Sequence, residues 1–479
     1  MAPHSTQRDS QENRRTGRSR LFWAGSALIA VFAVVLLLNS KLGSGLQRSM
    51  ELKAAETLGE VVGGVMEERS NKFAPVPDAA VQVADNIYRI GGVAHSQLVV
   101  TTAGNVVFDT GLSLQSAKQM RLLKESAPGK TSFIVLSHSH ADHVGGTRLW
   151  MEEGARIIAH SEFLEEQRYL TELQPYLTGR NRVMFPWIPR EPPTLDLLRY
   201  GGIDPDVLVE PGRPHHFELG GTRFEVIATP GGAEGADNLV MWLPQQATLF
   251  TGDTLGPMFP QFPNVVTLRG EKIRKPVEYI KTLNLLIDLE PEVLIPSHGV
   301  VVRGKEKIQK GLVRIRDAVQ YVHDATVAGM NEGKTLHQLM AEITLPPELA
   351  LTQSHGKISW AVKSLWEYYA SWFHFESTTE LYPISVRQLY PELAAVAGVG
   401  PLIEEATQKL DNNEPVEALH FIEIALAADP ANNRALGVRL SALKDLLAQA
   451  ENGDRVDYEM YYLKRRIEIT EEALQAVTD

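Results

Sequence analysis

Residues 133–146 read Phe-Ile-Val-Leu-Ser-His-Ser-His-Ala-Asp-His-Val-Gly-Gly, and this stretch decides the fold. The four apolar residues 133–136 make a short strand that expects cover on both faces. They run almost directly into His138-x-His140-x-Asp142-His143, so the polar side chains fan out from a tight loop and converge on one place. Two imidazoles two positions apart can face one ion, while the adjacent Asp142-His143 pair faces a second. Polar groups this dense at the end of an apolar strand need partners. Metal ligation supplies them, whereas histidines that merely cap a helix need no such spacing.

Working outward, short apolar runs separated by Gly, Asn and Asp occupy 87–90, 97–101 and 106–109, followed by a helical pattern over 114–125. Further runs lie at 157–159, 224–228, 239–243, 248–251 and 293–295. Strands with helices inserted between them predict a layered α/β domain. Beyond residue 305 the pattern is helical, with two or three helices over 401–444 broken at 428–432. The stretch 414–432 is similar to one tetratricopeptide unit, and one unit does not make an array.

The chain has 479 residues, 47 Lys+Arg, 59 Asp+Glu and no cysteine, for a formal charge of −12. Its length predicts more than one domain. Without cysteine there are no disulfides, thiolate zinc sites, Fe–S clusters or Cys nucleophiles, so a metal must be held by imidazole and carboxylate. The acidic balance argues against a nucleic-acid partner. The charge is uneven. Arg8, Arg14, Arg15, Arg18 and Arg20 outweigh Asp9 and Glu12 in the first twenty residues, and residues 21–38 carry no charge. That span is 18 residues, roughly 27 Å as a helix, near the hydrocarbon thickness of a bilayer. The arginines place its amino side in the cytoplasm. The expected organisation is a basic cytoplasmic tail (1–20), a transmembrane signal anchor (21–38) and a helical stalk (39–78). A catalytic domain (79–312) outside the cytoplasm and an all-helical domain (313–479) follow. The stalk's approximate apolar stripe includes Leu46, Met50, Leu52, Leu58, Val61, Val62 and Val65.

The histidine-rich loop resembles the signature of the metallo-β-lactamase fold superfamily. Val107-Phe108-Asp109-Thr110-Gly111, Thr229-Pro230-Gly231, Thr251-Gly252-Asp253 and Pro296-Ser297-His298-Gly299 follow in that family's order. The resemblance implies an αββα sandwich with two metals at its edge. Most members carry a histidine after Thr-Pro-Gly; here Gly232 stands there and Glu234 lies two residues further on. This is similar to the alkylsulfatase branch, in which a glutamate supplies the missing ligand. Residues 264–270 (Asn-Val-Val-Thr-Leu-Arg-Gly) and the helical stretch 354–373 also resemble that branch, the latter its all-α dimerisation domain. Where the branch usually carries a bridging glutamate, this chain has Asp253.

The resemblance implies His138, His140 and Glu234 on the first metal, Asp142, His143 and His298 on the second, and Asp253 between them. Nitrogen and oxygen donors suit Zn(II), Fe(II) or Mn(II), and zinc is the expectation because related sulfatases use it. Two such ions acidify a shared water, which Asp142 could orient. Arg269 is the candidate to grip a sulfate in bidentate fashion, with Asn264 adding one amide hydrogen bond. The implied activity is hydrolysis of alkyl sulfates to alcohol and sulfate by a homodimer. Alternatives are another ester class (lactone, thioester, phosphodiester or β-lactam) or a non-catalytic membrane scaffold. His95, His160, His215, His216, His323, His337, His355, His374 and His420 read as ordinary hydrogen-bonders, with His160, at the end of the strand 157–159, nearest to an exception as a support for the ligands. Two apolar, proline-punctuated stretches, 184–189 within an insertion over 161–217 and 257–263, are candidate lids whose aromatics line an alkyl channel or dip into the membrane surface, the alternative being that they simply pack the insertion onto the sandwich.

Overall fold

Runs rich in valine and isoleucine suit a pleated, half-buried surface, and nearly all of those named above form strands. The computed structural model describes residues 44–69, 74–152, 154–185, 188, 200–231 and 234–478. The chain divides into two compact units, the first from the described parts of 1–171, 191–228 and 239–245, the second from those of 172–190, 229–238 and 246–478.

In the first unit, β1 (Val81–Ala84), β2 (Ile87–Ile90), β3 (Ser96–Thr101), β4 (Gly104–Phe108), β5 (Thr131–Val135), β6 (Arg156–His160) and β7 (Val207–Val209) form a seven-stranded sheet in chain order. β1 to β4 are an antiparallel meander, and β4 to β7 run parallel. Parallel neighbours need a crossover; between β4 and β5 it is the helix Ser113–Ser126, which buries Ala117, Met120 and Leu123. A second, antiparallel ladder comprises β8 (His215–Leu219), β9 (Thr222–Ala228) and β10 (Leu239–Leu243). Phe217 of β8 stacks on its cross-strand partner Phe224 at 4.7 Å and meets Phe133 of β5 at 4.2 Å between ring centroids. Those rings fill the space between two layers of strand, which is the sandwich expected from the motif.

The helix Ser44–Arg69 belongs to this unit. Its expected apolar stripe is partly used: Ala55 is fully buried, and Leu52 and Leu58 pack against the core that holds Leu98, Ile134 and Trp150. Gly59 lets the helix approach the main chain at Leu114, where a Cβ would collide with the carbonyl oxygen. Arg48 Nη2 donates to the Leu149 carbonyl at 2.9 Å, and Arg121 Nε pairs with Glu56 at 2.7 Å. The segment read as a stalk is thus a docked helix, held by a buried face and polar contacts. The uncharged span 21–38 lies outside the described residues. Among the described residues no helix is long and apolar enough to cross a membrane.

The insertion over 161–217 contains two helices, Phe163–Glu172 and Gln174–Met184, besides β7 and β8. β8 reads His-His-Phe-Glu-Leu and alternates between half-buried and exposed, so its apolar signal is weak.

The second unit carries β11 (Thr248–Gly252) parallel to β12 (Val293–Pro296), with β13 (Val302–Arg303) antiparallel beside β12. The crossover helix is Pro276–Asp288, started by a proline in its first turn. The helix Lys305–Asn331 then runs unbroken for 27 residues, through the expected boundary at 312, burying Ile308, Leu312, Ile315, Val319 and Val322 on one side. The later α-helices are Leu336–Glu342, Ile358–Ala370, Tyr390–Ala397, Val399–Asp411, Pro415–Ala428, Asn433–Asn452 and Asp457–Thr478. The expected break at 428–432 is present, and Asn432 caps the next helix by accepting from the Ala435 amide at 3.0 Å. Leu402, Ile403, Ala406, Ala418, Ile422, Ala425 and Leu436 form the core of these helices.

Candidate metal centre

Parallel strands bring their carboxyl ends to one edge, and ligands gather there in open α/β sheets. In the first unit Asp109 follows β4, His138 follows β5 and His160 ends β6. The His138–His143 loop is packed against the turn after β4. Thr110 donates to the His143 carbonyl through its amide at 2.7 Å and its hydroxyl at 2.9 Å. Gly145 and Gly146 allow that approach, since a Cβ on either would run into main chain of the 110–113 turn.

Asp109 is fully buried and adopts a left-handed φ of 55°. Its carboxylate accepts from the Ser137 amide at 2.8 Å and hydroxyl at 2.9 Å, and meets His143 Nδ1 at 2.8 Å. A carboxylate facing Nδ1 holds the proton there and leaves Nε2 as the coordinating nitrogen. His138 Nδ1 lies 3.0 Å from the Ser137 hydroxyl, which orients that ring too. The rings of His140 and His143 lie 4.5 and 4.1 Å from that of His138, and Asp142 is 3.6 Å from His143 Nε2. His160 is buried and its Nδ1 accepts from the Glu162 amide at 2.9 Å, an ordinary hydrogen-bonding role.

In the second unit Asp253 follows β11 and His298 follows β12, and the parallel pairing sets them side by side, with His298 Nε2 3.3 Å from Asp253 Oδ2. Glu234 sits in a loop closed on itself, where Thr229 and Gly235 donate to Asn238. It is only 5% exposed. Its Oε2 takes 2.8 Å and 3.4 Å contacts from Arg274 and Arg269, and its Oε1 lies 3.5 Å from His355 Nε2. Burial pushes the Glu234 carboxyl upward, but Arg274, His355 and Arg269 outweigh it and hold it below the usual carboxylate range.

Arg269, expected to meet a sulfate, pairs with Glu271 at 3.2 Å and lies over the Tyr458 ring at 5.7 Å. Burial pushes that Tyr458 phenol up to about 12. Asn264 is buried; among the described residues neither polar atom of its side chain has a hydrogen-bond partner, while its carbonyl accepts from Arg274. Of the apolar stretches, Phe185 packs its ring 5.9 Å from Tyr461 and 6.3 Å from Tyr458, and Phe262 is buried.

No sequence motif marks Arg274, Glu271 or Tyr458, and His355 reads there as an ordinary hydrogen-bonder. His355 instead touches a candidate ligand. Position offers a signal for three of them, since Glu271 and Arg274 follow the segment 264–270 and His355 lies within 354–373, whereas Tyr458 is near neither.

Residues 90–298 match the metallo-beta-lactamase superfamily and residues 335–471 match the alkyl sulfatase dimerisation family. The chain carries a metallo-β-lactamase superfamily domain. With both segments in one chain, it falls in that superfamily's alkylsulfatase-like branch. It is 29% identical over 325 residues to a linear primary-alkylsulfatase of Pseudomonas, covering 63% of this chain and 60% of that one. It is 25% identical to an (R)-specific secondary-alkylsulfatase of Pseudomonas, covering 78% and 60%. The chain thus spans about 60% of the length of these curated relatives. The solved structure of a stereoselective inverting sec-alkylsulfatase from Pseudomonas superposes with a TM-score of 0.69 at 22% identity, covering 82% of this chain and 65% of that one, a likeness of fold.

Proposed function

We propose that this chain is a metal-dependent hydrolase of sulfate esters, and that alkyl sulfates are its substrates. The observation that carries this reading is Glu234, buried and ion-paired in the loop after Thr-Pro-Gly. Resemblance to the alkylsulfatase relatives supports it further. The residues fit divalent cations. His138, His140 and His143 crowd their rings together, which neutral imidazoles around a cation tolerate and protonated ones do not. His138 and His143 have Nδ1 engaged, turning Nε2 to the task of ligation. The proposed ligands are those the resemblance implies: His138, His140 and Glu234 for one ion, Asp142, His143 and His298 for a second, and Asp253 for both. Zinc is the proposed metal.

When bound, such ions acidify water and neutralise the charge of an anionic ester. The chain's own residues do the rest. Asp142 accepts a hydrogen bond from the attacking water and orients it. Arg269 and Asn264 hold the sulfate oxygens, a planar guanidinium suiting a tetrahedral oxyanion. Exposed Trp372, Phe375, Tyr382, Ile384 and Val396 support a homodimer formed through the helical region. Residues 1–20 and 21–38 are proposed as a cytoplasmic tail and membrane anchor, with the catalytic domain outside the cytoplasm; a reporter enzyme fused after residue 43 reads that orientation.

The activity test is sulfate release from a series of n-alkyl sulfates by the zinc-loaded chain, beside a lactone, a thioester, a phosphodiester and a β-lactam. Sulfate release is the expected outcome. Turnover of another ester with none from any alkyl sulfate defeats the substrate assignment, and no turnover with fewer than two ions bound favours a scaffold.

A further inference from the structure

A histidine ligand and a glutamate ligand pose different positioning problems. Once one ring nitrogen is anchored, an imidazole has a single nitrogen left to offer, and the Asp109–His143 contact uses that logic. A carboxylate has two equivalent oxygens on a soft terminal torsion. Something outside it must decide which oxygen it presents.

At Glu234 the two oxygens keep different company. Arg274 Nη2 lies 2.8 Å from Oε2, with Arg269 Nη2 at 3.4 Å from the same atom, whereas Oε1 lies 3.5 Å from His355 Nε2. The Arg274 side chain is only 3% exposed. The same Nη2 reaches Glu271 Oε2 at 2.9 Å, and Nη1 donates to the Asn264 carbonyl. One guanidinium therefore spans the Glu234 loop, the segment carrying Asn264 and its own helix-proximal turn. A planar fork can hold these directions at once, and an ammonium cannot.

We propose that Arg274 is a positioning residue for metal binding: it secures Oε2 of Glu234 and thereby presents Oε1 as the coordinating oxygen. The assignment rests on the reading of Glu234 as a ligand. It is the counterpart of the Asp109–His143 pair with the charges exchanged, a cation orienting an anionic ligand. Glu271 balances the second charge of the Arg269–Arg274 pair and keeps both guanidinium groups in place.

A double-mutant cycle on the full chain tests this, with Zn(II) affinity measured by competition against a chromophoric chelator and thermal unfolding recorded without metal. Arg274→Gln is expected to weaken zinc binding by about 10–100-fold, the range for loss of a group that orients a ligand. In the Glu234→Gln background the same change is expected to cost almost nothing more, because there is no carboxylate left to orient. Arg274→Lys is expected to fall between wild type and Arg274→Gln, and it carries the cycle if Arg274→Gln does not fold. Equal losses in both backgrounds overturn the proposal and make Arg274 a structural clamp. Unchanged affinity on replacing Arg274 in the native background overturns it as well. Unchanged affinity in Glu234→Gln alone overturns the ligand reading itself, a separate failure visible in a separate variant.

Discussion

The histidine loop of the first unit and the carboxylate cluster of the second solve the same problem by opposite means. Four candidate ligands in the first come from six consecutive residues at the end of β5, braced by a turn and one buried aspartate. The second gathers Glu234, Asp253 and His298 from three loops, and its glutamate is braced by Arg269, Arg274 and His355 from two further segments. Contiguity lets backbone hydrogen bonds do the positioning. Dispersal requires charge, and each charge in turn needs a partner, which is why Glu271 accompanies the arginines.

The sharpest way to break that contrast is Asp109→Ala. It removes the acceptor of three hydrogen bonds at a fully buried site, so unfolding in urea is expected to show a loss of about 3–5 kcal/mol. A loss under about 1 kcal/mol means the loop is not braced as described. Next is Glu234→Gln, expected to lower alkyl sulfate turnover at least about 100-fold with near-ultraviolet circular dichroism unchanged. Retained turnover removes Glu234 from the ligand set.

A smaller effect separates two glycines. Gly146→Ala drives a Cβ into the Thr110 carbonyl and Ser116, expected to cost about 1–3 kcal/mol. Gly437→Ala, in the helix Asn433–Asn452 with nothing within 4 Å of the new atom, is expected to stabilise by up to about 1 kcal/mol. Melting temperatures that shift the same way for both contradict the close-approach argument.

The last is a pH limb. Burial raises Tyr458 to about 12, so the folded state holds that proton more tightly than the unfolded chain does. Its contribution is full below the unfolded value, near 10, and is lost as pH climbs toward the folded value. Tyr458→Phe is expected to flatten that limb of a stability-against-pH curve.

Much of this was legible in the sequence, for identifiable reasons. The strand 239–243 announces itself because both faces are covered and every residue is apolar. The histidine loop is legible because its ligands are consecutive. β8 is not, since two of its five side chains face solvent and none is fully buried. Arg274 and His355 were not, because their partner Glu234 lies 40 and 121 positions earlier in the chain, and no local pattern encodes an ion pair at that range.

The helix Lys305–Asn331 bears on how this chain can be taken apart. It is 27 residues, about 40 Å of continuous rod, and it fills the interval between the two family segments that end at 298 and begin at 335. A cut at residue 312 would divide a row of buried side chains from Ile308 to Val322 and leave each fragment with half of an unpaired apolar face. Limited proteolysis should therefore spare this interval, and fragments that keep the rod whole on one side are the ones with a chance of remaining soluble.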